Sequence, residues 1–238
     1  EKLEPLELAQ RLGEYLSIMT RHIQDRQGTV DKYIGDAVMA FWGAPTELAE
    51  HASEACDAII EAFQDLSERE RELPYMKEFY TRVGIHTASV VVGNFGCDDR
   101  LNYTVIGDGV NLASRLEGLN KVFGTQIIIS DETAQGIGSR FVLRRLAKVA
   151  VVGRATACTV HELVGLTQQV PEERITLLRT YEEALTLYFS RDFTKAATLL
   201  APLTGSDSAC AWLHSRCIML ETESLPDSWD GVITMQGK

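Results

Sequence analysis

Residues 28–45 read GTVDKYIGDAVMAFWGAP, two short apolar runs that fold back on each other. Thr29, Val30, Tyr33 and Ile34 make the first arm, and Ala37, Val38, Met39, Ala40, Phe41 and Trp42 make the second. Between them, Gly35-Asp36 suits a two-residue hairpin turn, because glycine adopts positive φ without steric cost. A carboxylate at a hairpin tip lies outside any packed core and is free to hold a cation. Period-two alternation places Lys32, four residues earlier, on the same face of the strand as Asp36.

Outward from this hairpin, residues 5–27 form an amphipathic helix, with Leu6, Leu8, Leu12, Tyr15, Leu16 and Met19 on the apolar face. Pro5 suits its first turn and Gly28 its stop. A second helix is expected over 47–73, with Ala52, Ala55, Ile59, Ile60 and Phe63 inward and Pro74 closing it. Strands follow at 81–87, 89–95 and 101–106, with 96–100 as a polar turn. A helix over Asp108–Phe123 has Asp108 as its expected N-cap and Gly124 at its end. A strand at 126–130, a short helix at 133–137 and strands at 140–152 and 157–163 complete this part. Helices separated by antiparallel hairpins imply an α+β sheet with helices on one face. From Val164 the pattern changes. Residues 167–171 read as a linker, and 172–190, 192–201 and 207–222 as three helices. Tyr181, Ala184, Leu185, Tyr188, Phe193, Ala196 and Ala197 resemble one tetratricopeptide-like hairpin. A single such unit cannot bury both faces, so it is expected to pack on the rest of the chain or on a partner. Residues 226–238 carry Trp229 and Val232-Ile233, a candidate edge strand.

The stretch DKYIGDAVMAFWGAP resembles the second metal-binding hairpin of the class III nucleotidyl cyclases, the adenylate and guanylate cyclase family. NYTVIGDGVNLASRLEGLN, residues 102–120, resembles a second block of that family. The resemblance implies a ferredoxin-like βαββαβ cyclase core with a C-terminal strand extension, followed by a small helical tail. It implies a catalytic domain over 1–164 and a helical extension over 165–238. The family's opening strand, its phosphate loop and its first metal-binding aspartate are expected upstream of Glu1, or to be lost.

The reaction implied is conversion of ATP to 3′,5′-cyclic AMP and pyrophosphate, an adenylate cyclase activity, by attack of the ribose 3′-hydroxyl on the α-phosphorus. Two Mg²⁺ or Mn²⁺ ions per site are implied, and Asp36 matches one of the two metal carboxylates. Lys32 matches the purine-reading lysine; an ammonium donates to adenine N1 but meets a donor in guanine. Thr104 matches the second purine reader, whose hydroxyl accepts from the adenine amino group. Asn111 and Arg115, four apart and so on one helical face, match the ribose-orienting asparagine and the arginine that stabilises charge on the α-phosphate. Arginine suits that role through its planar donors and permanent charge. The family's triphosphate lysine is replaced here by Val152 in the run Val151-Val152-Gly153-Arg154, leaving Arg154 or Lys148 to compensate. Members of the family bind ATP between two chains, one supplying metal carboxylates and the other the purine readers, Asn and Arg. This chain carries both sets, so a symmetric homodimer with two equivalent sites is implied.

Composition bounds the alternatives. The 238 residues carry a net charge of −11, which argues against a general nucleic-acid binder and against an RNA-binding module of the same topology. Five cysteines without CxxC spacing suit a reducing, cytoplasmic setting rather than a disulfide framework. The five histidines show no metal-ligand spacing and read as structural or surface residues. No apolar run approaches a membrane span. The chain opens on Glu1, so a longer protein with an upstream membrane or sensor domain is expected. The competing functional reading is a weak or inactive cyclase-like module for nucleotide sensing or dimerisation, motivated by Val152 and the unplaced first aspartate.

Overall fold

In the computed structural model, which describes residues 3–150 and 157–234, the elements follow in order. They are α1 (Pro5–Asp25), β1 (Thr29–Ile34), β2 (Ala37–Phe41), α2 (His51–Arg69), β3 (Val83–Ile85), β4 (Val91–Cys97), β5 (Arg100–Ile106) and α3 (Asp108–Phe123). Then come β6 (Ile127–Ser130), α4 (Asp131–Gly136), β7 (Phe141–Ala150), β8 (Cys158–Leu166), α5 (Glu172–Phe189), α6 (Phe193–Leu200), α7 (Ser208–Glu221) and β9 (Ile233–Thr234). The fold is α+β, as the alternation of helices and hairpins implies. Among the described residues the strands divide into three sheets: the hairpin β1-β2, the hairpin β4-β5, and a five-stranded mixed sheet in the order β3-β6-β8-β7-β9. The chain forms two compact units, Glu1–Thr81 with Ser89–Val110, and Arg82–Ala88 with Asn111–Lys238.

In the first unit, α1 and α2 bury Ile18, Met19 and Ile23 with Ala52, Ala55, Cys56 and Ile59. The apolar stripe of α1 starts later than its leucines suggest. Leu6 and Leu8 are exposed, at 83% and 42%, because α2 runs antiparallel to α1, pairing Asp65 with Arg21 and Glu54 with Arg26, and ends at Arg69, short of the first turns of α1. Instead of running over 47–73, α2 spans His51–Arg69 and stops ahead of Pro74, which opens a 3₁₀ turn, Pro74–Glu78, that buries Met76. After α1, Trp42 Nε1 donates to the Arg26 carbonyl at 2.9 Å. Its ring lies so close to Gly28 that a Cβ there would sit 2.6 Å from it.

The second unit is built on the five-stranded sheet and α3. Leu112, Leu116, Leu119 and Phe123 of α3 meet Ile128, Leu146, Val149 and Val160 of the sheet in one buried cluster. Asp108 is the first residue of α3 rather than its cap. The short α4 starts two residues earlier than expected, because Ser130 caps it by accepting from the Thr133 N–H at 3.3 Å. The position of α3 on β3 is set by Gly84 and Asn120. The Asn120 amide donates to the Val83 carbonyl at 2.9 Å, and its oxygen accepts from Thr125. A Cβ on Gly84 would lie 2.1 Å from the Ala113 carbonyl and 2.4 Å from the Glu117 nitrogen. Because backbone, not a flexible side chain, blocks that space, Gly84→Ala is expected to force α3 off the strand and cost about 1–3 kcal/mol or more. Urea unfolding of the variant beside the parent measures this; an unchanged midpoint would show that the helix has room to shift.

The helical tail packs on the same sheet. Tyr181, Ala184, Leu185, Tyr188, Phe193, Ala196 and Ala197 are all buried, in one cluster with the residues of α3 and the sheet. The Tyr181 hydroxyl donates to the Leu146 carbonyl at 2.8 Å, and Phe123 meets Trp212 of α7 edge to face at 4.7 Å. The candidate edge strand is present as β9, parallel to β7, with Val149 opposite Ile233. Among the described residues no disulfide is formed, and of the five cysteines only Cys97 is exposed.

Candidate active site

The hairpin forms as its sequence implies. Ile34 pairs with Ala37, which leaves Gly35 and Asp36 as the two turn residues, with Gly35 at φ +64°. Asp36 is exposed. Strand alternation ends at Ile34, so a period of two does not relate Lys32 to Asp36; the turn sets the aspartate's place.

A second irregularity in β1 matters more for the purine readers. Val30 pairs with Ala40, yet Lys32 pairs with Met39, so Asp31 is an extra residue in a β-bulge. Bulges re-aim side chains, and this one sends the Asp31 carboxylate inward, to 1% exposure. Buried there, it accepts two hydrogen bonds and faces one cation. Oδ2 takes the Thr104 hydroxyl and, at 3.3 Å, the Val105 N–H. Oδ1 lies 3.2 Å from the Lys32 ammonium. Asp31 thus ties together the two residues expected to read the base, which stand on different hairpins. Thr104 is buried at 8% and Lys32 is exposed. Nearby, Phe41 and Tyr103 meet in a tilted ring contact at 6.1 Å. No local signal in the sequence marks Asp31: its burial arises from the bulge, and its partner Thr104 stands on another hairpin.

In the second unit, Asn111 and Arg115 lie one turn apart on α3, Asn111 exposed and Arg115 half-buried, while Leu112 and Leu116 beside them are fully buried. The apolar stripe anchors the helix and leaves the Asn–Arg pair outside the core. Arg154, Val152 and Gly153 lie outside the described residues. Lys148, the other candidate for the terminal phosphates, lies 3.5 Å from Asp230. Three histidines make local polar contacts: His22 with Asp65 at 3.1 Å, His86 with Ser130 at 2.8 Å and His161 with Asp131 at 2.8 Å. Among the described residues, no group of three or more His, Cys, Asp or Glu side chains is placed to hold a metal, and no helix is long and apolar enough to cross a membrane.

Residues 1–164 match the family model of the adenylate and guanylate cyclase catalytic domain. The chain belongs to this family. Among cyclase relatives, it is 38% identical over 176 residues to adenylate cyclase 1 of Rhizobium meliloti, covering 71% of this chain and 26% of that protein. It is 36% identical over 167 residues to the adenylate cyclase of Anabaena cylindrica, covering 68% of this chain and 33% of that protein. The chain therefore spans a quarter to a third of the length of these relatives. Among solved cyclase structures, the adenylyl cyclase CyaB from P. aeruginosa superposes with a TM-score of 0.58 at 30% identity, covering 71% of this chain and 88% of the other. The guanylyl cyclase Cya2 gives a TM-score of 0.61 at 28% identity, covering 71% and 85%. Cyclases named for either purine thus share this fold, and the choice between them rests on individual side chains.

Proposed function

We propose that this chain is an adenylate cyclase catalytic domain, residues 1–164 with a helical extension over 165–238, converting ATP to 3′,5′-cyclic AMP and pyrophosphate at a homodimer interface. The observation that carries the choice of ATP is the coupled pair Lys32 and Thr104, joined through Asp31. Lys32 offers only donors and suits adenine N1, which accepts; the Thr104 oxygen suits the adenine amino group, which donates. The names of the curated relatives favour the same substrate.

In the reaction, the 3′-oxygen forms a bond to the α-phosphorus, the bond to the bridging oxygen of the β-phosphate breaks, pyrophosphate leaves, and the hydroxyl proton passes to solvent. Asn111 orients the ribose. Arg115 neutralises charge that grows on the α-phosphate oxygens as the new bond forms. Asp36, exposed in its turn, fits one ligand position of a hard divalent cation. When bound, Mg²⁺ or Mn²⁺ neutralises the phosphates and eases loss of the hydroxyl proton.

Dimerisation follows from the division of roles, since one chain carries Asp36 as well as Lys32, Thr104, Asn111 and Arg115. The first unit also exposes large apolar side chains on its hairpins: Tyr33, Ile34, Val91, Leu101, Tyr103 and Ile106. Burying them against a second copy would remove an apolar surface that monomers rarely leave uncovered.

The test is a cyclic AMP assay on the full-length protein with manganese titrated, comparing the parent with Lys32→Glu. Glutamate sets an acceptor against adenine N1, leaving both unpaired at a cost of about 1–3 kcal/mol, so ATP turnover is expected to fall about 5- to 150-fold with little change in unfolding midpoint. Equal ATP turnover by parent and variant would remove Lys32 from the site.

A further inference from the structure

We propose that Asp31 is a positioning residue that sets the hydrogen-bond polarity of the base-reading pair, holding Thr104 as an acceptor and Lys32 as a donor, and thereby selecting adenine over guanine. The inference rests on the cyclase reading above and goes beyond it in naming what makes a threonine discriminate.

A hydroxyl alone is ambiguous. It has one proton to give and lone pairs to accept with, and it rotates to suit either partner. Left free, Thr104 would accept from the 6-amino group of adenine or donate to the 6-oxo group of guanine with equal ease. Its only proton is, however, directed to Asp31 Oδ2. The carboxylate has no proton to give back, so what Thr104 can show a base is lone pairs. The other oxygen of the same carboxylate faces the Lys32 ammonium at 3.2 Å, which draws the lysine to the side of the threonine and leaves it further donors for the base. Adenine presents an acceptor at N1 beside a donor at its 6-amino group; guanine presents the reverse. One buried carboxylate therefore imposes a donor–acceptor pattern that only adenine complements.

Three features make this a built arrangement rather than a surface coincidence. The Asp31 side chain is 1% exposed, so water does not compete for its oxygens. The bulge that inserts it costs β1 a ladder position. The Val105 N–H, at 3.3 Å, holds Oδ2 from a second direction, so the carboxylate cannot turn away from Thr104 without stranding a backbone donor.

The test is the ratio of kcat/KM for ATP to that for GTP, with nucleotide binding measured alongside, on the full-length parent and on Asp31→Asn, Thr104→Val and the double variant. An amide offers one acceptor atom where the carboxylate offers two. Asparagine at 31 thus keeps the shape but must set its NH₂ against either Lys32 or the Thr104–Val105 side. The ATP:GTP ratio is expected to fall about 2- to 10-fold, the worth of one hydrogen bond. Thr104→Val should lower it similarly, and the double variant should fall short of the product of the two, because both act through one contact. A purely structural role would lower the use of ATP and GTP alike and leave the ratio unchanged; that outcome, or multiplicative effects in the double variant, overturns the inference while leaving the cyclase reading intact. A parent protein that neither binds nor turns over a purine nucleotide overturns both. Asp31→Ala, which removes every acceptor, serves as the second variant: if the ATP:GTP ratio survives it, Asp31 sets nothing.

Discussion

Arg115→Ala is expected to lower kcat for ATP about 100- to 1000-fold while KM changes little. Arg115 stands on α3 beside Leu116, which is fully buried, so its backbone is held by the core while the residue itself is only half-buried. A group placed in advance for charge that appears only during the reaction contributes to the transition state and little to the bound ground state. Removal of one such donor costs about 2.7–4 kcal/mol, which is the stated fall in rate. Arg115→Lys should recover little, because a point charge lacks the planar fork that matches two phosphate oxygens. Steady-state cyclic AMP kinetics with the unfolding midpoint as control decide the matter. Parental kcat in Arg115→Ala would take the Asn111–Arg115 face out of the chemistry and favour the inactive nucleotide-sensing module.

The second large effect is on stability. Arg144, 1% exposed in β7, is held between Glu162 of β8 at 2.6 Å and Asp207 at 2.8 Å. Asp207 also binds Arg174 of α5 at 2.8 Å and caps α7 by accepting from the Cys210 N–H at 2.8 Å. One carboxylate therefore joins the sheet to two helices of the tail. Asp207→Ala leaves a buried guanidinium short of a partner and a helix without its cap, and is expected to cost about 3–5 kcal/mol, as when a buried pair loses one member. Burial by itself would push the Asp207 carboxyl up. The hydrogen bond and charge of Arg144, with the Cys210 N–H and Arg174, outweigh it and hold the group well below the usual carboxylate range. A carboxyl whose folded value is depressed stabilises the fold above its unfolded value, about 3.9, and loses that contribution as pH falls below it. The gap between parent and Asp207→Ala in denaturant unfolding should therefore be full at pH 7 and narrow steadily on acidification below about pH 4. A gap that does not vary with pH would mean that the ionised carboxylate is not what holds the tail to the sheet.

Much of the fold was legible because its signals are local. Gly35-Asp36 between two β-rich runs calls for a two-residue turn whatever surrounds it, and the turn is there. The helix expected over Asp108–Phe123, with Gly124 at its end, has those bounds, although Asp108 is its first residue rather than its cap. Membership of the cyclase family was equally legible, since two sequence blocks carry it. The same two blocks point to individual side chains of the candidate site but not to what holds them.

What remained hidden depends on residues distant in sequence. Leu6 and Leu8 have the spacing of a core face, but whether a face is covered depends on how far the partner helix reaches, and antiparallel α2 ends at Arg69. Asp31 appears in the sequence as a polar residue beside a lysine. Its burial arises from a bulge, which depends on how two strands register, and its partner Thr104 is 73 residues away. Arg144, Glu162 and Asp207 look like three ordinary surface charges until the sheet and the tail close around them. The sequence alone was enough for the elements, the hairpin and the family, because turn chemistry, periodicity and motif are properties of neighbours along the chain. Only the tertiary structure decided which charged groups are buried together, because loss of solvent and the meeting of distant partners exist only once the chain has folded.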